Sequence, residues 1–283
     1  MKEKVLEKLA EWMKPLAIPA GEYRGRSYDY ILPLRPYVKG KRRDAIAESL
    51  AKYDVLTDGV RYFPNVLPVN ELHSYANHLN SSQILCYNFF GKLLAINEYS
   101  ERNIKITPEM RNWLERYLPT IPKLSDNAIC VFEAVVNPKE GTSFDFIVYD
   151  CNTEIRFEIK FTEYGFGKTK KDSNSKSGIT HHQKYTDIYQ PCLNKSTVVR
   201  NTVTEDDFFC NYQLFRNVIT GNRPGAYREI YNVFMYPSWN TKCAAEFENF
   251  TENYVVDKSR ILNLEWDKVV PQEMKGFLDK YYL

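Results

Sequence analysis

Apolar positions near the start of the chain recur at helical spacing. In MKEKVLEKLAEWMKPLA they alternate with charges, which predicts a helix over 2–14 stopped by Pro15. Ala45, Ile46, Leu50 and Ala51 predict a second helix from about Arg42 to Tyr53, followed by a Pro-containing connection at 64–68. LNSSQILCYNFFGKLLAI offers Ser81 or Ser82 as a cap before Ile84, Leu85, Tyr87, Asn88 and Leu93. Thr107-Pro108-Glu109 starts another helix, with Thr at the cap and Pro in the first turn. The first 120 or so residues are therefore expected to be mostly helical.

The pattern changes at Asn127. AICVFEAVV and TSFDFIVYD are β-rich runs separated by the turn cluster NPKEG, and IRFEIKFT follows the turn cluster CNTE. Together they predict a three-stranded antiparallel meander. Thr204 then caps a helix with Glu205, Asp206 and Asp207 in its first turn and Gly221 just beyond its end. REIYNVFMY (228–236) reads as a further strand, and helices are expected at about 241–254 and 271–282. The order is an α/β core carrying an N-terminal helical extension.

Composition adds bounds. With 283 residues, 43% hydrophobic and 26% charged, the chain suits one large domain or two small ones with an ordinary core. The six cysteines contain no C-x-x-C, which argues against a zinc ribbon and against a disulfide framework. No apolar h-region opens the chain and no apolar run reaches bilayer length, so a cytoplasmic protein without membrane residence is expected. A net charge of +2 announces no polyanionic partner, but its distribution is polarised. Residues 22–43 carry seven Lys/Arg against two acids, interleaved with Tyr23, Tyr28, Tyr30 and Tyr37, while 244–283 carry eight acids against five bases. Such a basic, aromatic stretch suits nucleic acid, although a solvated charged face has the same composition.

The chemistry concentrates in the meander. In its third strand Phe157, Ile159 and Phe161 alternate with Glu158, Lys160 and Thr162, so one face carries an acid beside a base. Asp145 stands between Phe144 and Phe146, and Glu133 interrupts the first strand in the same way. A carboxylate in an apolar run needs a partner or a cation. Closing the hairpin through NPKEG brings Glu133 opposite or nearly opposite Asp145, which in turn neighbours Glu158. Three carboxylates and one lysine then converge on one sheet face. A hard divalent cation with oxygen ligands relieves their repulsion, Mg²⁺ being the natural choice and a phosphate ester the natural substrate. The plainer account of Glu158 and Lys160 is a cross-strand salt bridge. A second E-x-K, Glu273-Met274-Lys275, lacks a strand and an upstream Asp and reads as a solvated helix face.

An Asp followed across a hairpin by E-x-K, set in helix, three strands, helix and strand, resembles the PD-(D/E)XK nuclease superfamily, although Phe144 stands where its Pro would be. SSQILCYNFF (81–90), FEIKFTEYGFG (157–167) and YQLFRN (212–217) resemble more particularly a group of restriction endonucleases within it, over about residues 70–236. The resemblance implies a restriction-endonuclease-like αβββαβ core with a mixed sheet over 76–283, a C-terminal helical extension, and a basic helical region over 1–75. It also implies Asp145, Glu158 and the Ile159 carbonyl as Mg²⁺ ligands, with Mn²⁺ as a substitute. Lys160 becomes the catalytic lysine and Glu133 the upstream acid, a further catalytic residue for a possible second metal. Many superfamily members place that acid in the preceding helix rather than in a strand.

Other candidates are open to two readings each. Gln213 and Arg216 position a phosphate or a water, or belong to an ordinary amphipathic helix. Ser81, Ser82 and Gln83 contact DNA, or cap a helix. Lys168, Lys170, Lys171, Lys176 and Lys184, in and beside the Lys/Ser/Gly-rich loop KTKKDSNSKSG, touch the phosphate backbone or lie in solvent. His181 and His182 are not assigned a metal, because adjacent residues on an extended segment point opposite ways and lack partner spacing. There is no G-x-x-x-x-G-K-[ST] loop for ATP and no G-x-S-x-G elbow. The expected activity is Mg²⁺-dependent hydrolysis of double-stranded DNA by a type II-like restriction endonuclease, with a homodimer expected from two-fold symmetric target sites. The alternatives are a structure-specific repair or recombination nuclease and a catalytically inactive DNA-binding protein of the same fold.

Overall fold

The computed structural model describes residues 1–53, 61–141, 143–175, 178–221 and 228–282. Helix α1 (Lys2–Met13) buries Val5, Leu9 and Met13 and gives way to a 3-10 turn, Lys14–Leu16, that contains Pro15. The expectation of a mostly helical first 120 residues needs correction at two places. A hairpin of β1 (Gly21–Tyr23) and β2 (Arg26–Tyr28) follows α1. It forms because Arg24 and Gly25 both adopt positive φ, 50° and 73°, the backbone of a two-residue hairpin turn. Helices α2 (Arg42–Tyr53) and α3 (Ser82–Leu93) lie where predicted. A two-residue edge strand, β3 (Ile104–Lys105), then precedes α4 (Pro108–Tyr117), whose cap Thr107 accepts the Met110 N–H at 3.1 Å.

The predicted meander forms from β4 (Ile129–Val135), β5 (Ser143–Tyr149) and β6 (Thr153–Ile159). Asn137 Oδ1 accepts the Lys139 N–H at 3.1 Å in the first turn. In the second, Asp150 Oδ1 accepts the N–H groups of Asn152 and Thr153, each at 2.9 Å, so β6 starts at Thr153 rather than at Ile155.

Next come α5 (His181–Lys184), a π-helical turn (Tyr185–Tyr189) and α6 (Gln190–Leu193). The histidine pair therefore sits on a helix, capped by Thr180, and not on the extended segment expected. The single helix expected after Thr204 is two, α7 (Glu205–Cys210) and α8 (Tyr212–Ile219), broken at Asn211. Strand β7 (Glu229–Tyr236) runs parallel to β6, and α9 (Thr241–Asn253) follows it. An unpredicted strand, β8 (Ile261–Glu265), runs parallel to β7. A 3-10 turn at Gln272–Met274 then leads into α10 (Lys275–Tyr281), where one longer helix was expected.

The large sheet is mixed, in the order β3-β4-β5-β6-β7-β8, antiparallel as far as β6 and parallel beyond it. This is the expected mixed α/β core. Both sheet faces are covered. On one, Phe90 of α3 stacks on Phe146 at 4.1 Å and leans on Phe157 at 4.9 Å. On the other, Phe215 of α8 and Phe250 of α9 meet edge to face at 4.9 Å, in one cluster with Phe234 and Phe247. Strand β7 serves both faces, Val233 and Met235 joining the first cluster and Phe234 and Tyr236 the second. That division is why its sequence reads as a continuous apolar run. Val5, Leu9 and Met13 of α1 belong to the same cluster as Phe90, Phe277 and Tyr281. Among the described residues no helix is long and apolar enough to cross a membrane.

Candidate active site

Strand register assembles the site. Phe132 pairs with Phe146 and Ala134 with Phe144, so Glu133 lies across from Asp145. The β5–β6 ladder is paired up to Phe146 and Phe157, which brings Asp145 alongside Glu158 one step further on. Beyond that pair Asp145 Oδ2, rather than a backbone carbonyl of β5, accepts the Ile159 N–H at 2.6 Å. Lys160 lies just past β6, its own N–H given to the Met235 carbonyl at 2.7 Å. Its ammonium donates to Glu158 Oε1 at 2.7 Å.

Glu133 departs from strand geometry. Its φ is +48°, and its carbonyl accepts from the Arg102 guanidinium at 3.1 Å. Such a conformation costs a non-glycine residue on the order of 1–3 kcal/mol and is found preferentially where function requires it. Its carboxylate is held by Gln83 Nε2 at 2.7 Å and by the Ser143 hydroxyl. In the preceding helix α3, then, a glutamine rather than an acid reaches the row.

Burial first, and then the nearby charges of Glu158 and Glu133, push the Asp145 carboxyl well above the usual carboxylate range. Burial also raises Glu133, against the hydrogen bonds from Ser143 and Gln83. Glu158 behaves differently. Burial raises it, but Lys160 and Arg216, together with hydrogen bonds from Lys160 and Asn217, outweigh that and hold it below its ordinary value. Burial would lower Lys160, and the carboxylates of Glu158, Glu163 and Asp145 reverse the effect and raise it.

Most of the predicted residues meet in one cleft of about 740 Å³. It is lined by Glu133, Asp145, Glu158 and Lys160, by Ser81, Ser82 and Gln83 at the start of α3, and by Gln213 and Arg216 of α8. Ser81 occupies the N-cap position of α3 without a side-chain capping bond. Gln213 bridges two elements, donating to Glu158 Oε1 and accepting the Gly167 N–H at 3.1 Å, while Arg216 stands 4.0 Å from Glu158 Oε2. Ile159 is buried, and its backbone N–H is what meets Asp145.

Lys168, Lys170 and Lys171 are exposed but are not among the cleft-lining residues, and Lys176 lies outside the described residues. Lys184 does not belong with the solvent-facing lysines. It is buried, donating to the Glu140 carbonyl at 2.6 Å and to its carboxylate at 3.0 Å, so its charge is spent on a structural ion pair. His182 pairs with Glu205, and His181 meets the Tyr212 ring at 5.3 Å.

Several contributors were not singled out in the sequence. Asn217 donates to Glu158 Oε2 at 2.7 Å. It stands four residues after Gln213 in YQLFRN, so helical spacing was the available signal. Asn80 donates to the Thr162 hydroxyl at 2.9 Å, and both line the cleft. Lys2, His73, Tyr75 and His78 line it from the N-terminal segment, beside Tyr23 and Arg43 of the basic, tyrosine-rich stretch. No local pattern placed them near the carboxylates.

The donor set fits a hard cation. Three buried or half-buried carboxylates share one row, and burial first, then the charges of Glu158 and Glu133, disfavours the ionised form of Asp145. Among the described residues no three His, Cys, Asp or Glu side chains stand close enough together to enclose an ion on their own. A cation that keeps waters and phosphate oxygens in its shell, as Mg²⁺ does, needs only Asp145, Glu158 and a backbone carbonyl.

A family model described as restriction endonuclease associating with ARP matches residues 9–281. The match takes in the N-terminal segment and the last helix as well as the meander. No curated protein and no solved structure matches the chain.

Proposed function

The chain belongs to the family of restriction endonucleases associating with ARP, and from that premise we propose that it is a Mg²⁺-dependent endonuclease that hydrolyses phosphodiester bonds of double-stranded DNA, as a type II-like restriction enzyme. The observation that carries this reading is the row Glu133, Asp145 and Glu158 across three adjacent strands, with Lys160 in the same cleft. Asp145, Glu158 and the Ile159 carbonyl would hold Mg²⁺, with Mn²⁺ as a substitute, and the bound ion would lower the pKa of a water and polarise the phosphoryl group.

The chain's own groups do the rest. Lys160 Nζ, fixed by Glu158, is a donor and positive charge for the phosphoryl oxygens as charge builds on them. Gln213 and Asn217 clamp the Glu158 carboxylate so that it cannot turn away. Ser81 and Ser82, at the start of α3, line the cleft, and their hydroxyls are the proposed donors to a DNA phosphate there. Arg216 adds positive charge on the α8 side. Cutting both strands needs two such centres, which a two-fold homodimer supplies.

Purified protein is incubated with plasmid and with unmodified phage DNA, in Mg²⁺ and in EDTA, beside Asp145→Ala. Discrete Mg²⁺-dependent fragments absent from the variant are expected. Smearing or nicking would favour the structure-specific repair or recombination nuclease instead. No cleavage of any DNA, with wild type and variant alike, would overturn the enzymatic reading in favour of a catalytically inactive DNA-binding protein.

A further inference from the structure

Resting on the nuclease reading, we propose that the part of the cleft contributed by the N-terminal segment is a stacking site for an unpaired nucleobase of the DNA substrate, built around Tyr75 and Tyr23. Four rings are gathered there. Tyr23 meets Tyr75 and His78, each at 5.3 Å, and Tyr75 also meets His73 at 5.4 Å and His78 at 5.3 Å. Tyr75 is 38% exposed. The rings brace one another while the cluster stays open to the cleft.

The cluster is fixed to the catalytic row by one side chain. Gln83 accepts the His73 N–H at 2.8 Å through Oε1, and through Nε2 donates to Glu133 at 2.7 Å. The same turn is fastened to α2, where Arg42 donates to the Ser74 carbonyl at 3.0 Å. Tyr23 and Tyr75 also line a second cleft of about 820 Å³, together with Arg24, Tyr37 and Arg42. The Arg24 guanidinium lies 5.2 Å from the Tyr23 ring centre, and Arg42 donates to the Tyr37 hydroxyl at 2.5 Å. A path lined by rings and guanidinium groups thus leads away from the carboxylate row.

The occupant follows from the chemistry of the lining. Cations along the path neutralise phosphates, which selects a nucleic-acid strand over an acidic metabolite too short to follow it. Exposed aromatic rings are of little use to a paired base, whose faces are covered by its neighbours in the duplex and whose edges alone are accessible. They suit a base that has left the stack, as a single-stranded or extruded nucleotide does. The strand whose phosphate sits at Asp145 and Lys160 therefore places a neighbouring unpaired base against Tyr75.

The test measures binding in EDTA, where no cleavage occurs. A fluorescein-labelled 30-nucleotide mixed-sequence single strand and the corresponding fully paired duplex are titrated with wild type, Tyr75→Ala, Tyr75→Phe and the exposed control Tyr99→Ala. For Tyr75→Ala, single-strand affinity is expected to fall about 5-fold or more, the effect of losing one base–aromatic stack. Duplex affinity is expected to fall by less, because the cost of extruding a base opposes the stack, with Tyr75→Phe and Tyr99→Ala behaving as wild type toward both DNA forms. Emission of 2-aminopurine in the single strand should be quenched by wild type and not by Tyr75→Ala. Unchanged single-strand affinity in Tyr75→Ala, or an equal loss for both DNA forms, would overturn the stacking site. Mg²⁺-dependent cleavage by the wild type would, in either case, leave the nuclease reading standing. A wild type that neither binds nor cleaves DNA would overturn both.

Discussion

Glu158 organises the site at the scale of single residues, since Lys160, Gln213 and Asn217 all donate to its carboxylate. Removing one donor leaves a buried charge short of a partner, at about 1–3 kcal/mol. Asn217→Ala is accordingly expected to lose that much stability in urea unfolding and to cut DNA about tenfold more slowly, whereas Asn217→Gln should recover part of the rate. The acids Asp145, Glu158 and Glu133 were legible because each breaks an apolar β-run. Asn217 was not, because a polar residue on an amphipathic helix is ordinary until its facing strand is known. His78 gives a pH prediction of its own. Burial first, then the charges of Arg42 and His73, depress its pKa to about 4. The folded chain therefore stays neutral there while the unfolded chain takes up a proton below its ordinary value of 6.5. Stability contributed by the neutral ring is complete above that value and is lost as the pH falls toward 4. After discounting for solvent screening the loss is about 1–2 kcal/mol. His78→Phe should flatten the decline in urea midpoint over this range, and an unchanged slope would refute the assignment.

Among the elements, α3 and the meander act as one body through Phe90, which stacks on Phe146 in the same strand as Asp145. Phe90→Ala is expected to cost about 3–5 kcal/mol, read from the denaturation midpoint. The loop after Lys160 is equally constrained. Gly165 has φ +82°, and a Cβ there would fall 2.3 Å from the Glu246 carboxylate that accepts the Phe166 N–H. Gly165→Ala should therefore destabilise by about 1–3 kcal/mol and slow cleavage, checked by thermal unfolding and single-turnover rates. The long strands and capped helices could be read from sequence, since period-two alternation and Thr-Pro-Glu or Thr204-to-Asp207 spacing are local signals. β3 is two residues long, and β8 alternates Leu262 and Leu264 with polar residues over too short a run to stand out. The hairpin β1–β2 turns on Arg24-Gly25, where only the backbone angles reveal the turn. The positive φ of Glu133 likewise left no trace in a sequence that reads as an ordinary strand.

In the whole molecule, the cleft is assembled from parts far apart in sequence: the N-terminal hairpin and 70–83, the meander, and α8. The polarised charge of the chain falls into place here, because the basic, tyrosine-rich stretch 22–43 contributes Tyr23 and Arg43 to the cleft that holds the carboxylates. DNA affinity should accordingly fall steeply with salt, with a log–log slope of about −0.9 for each phosphate neutralised. Arg43→Ala should make that slope shallower by about one, as measured by anisotropy between 50 and 200 mM salt. Asp145, Glu158 and Lys160 are the proposed DNA-cleaving centre. The most direct measurement compares, for wild type and Lys160→Met, the single-turnover rate of Mg²⁺-dependent DNA cleavage with DNA affinity determined in EDTA. The rate is expected to fall by about 10²-fold or more, with affinity within about threefold. Equal rates, or a loss of rate fully explained by lost binding, would contradict that assignment.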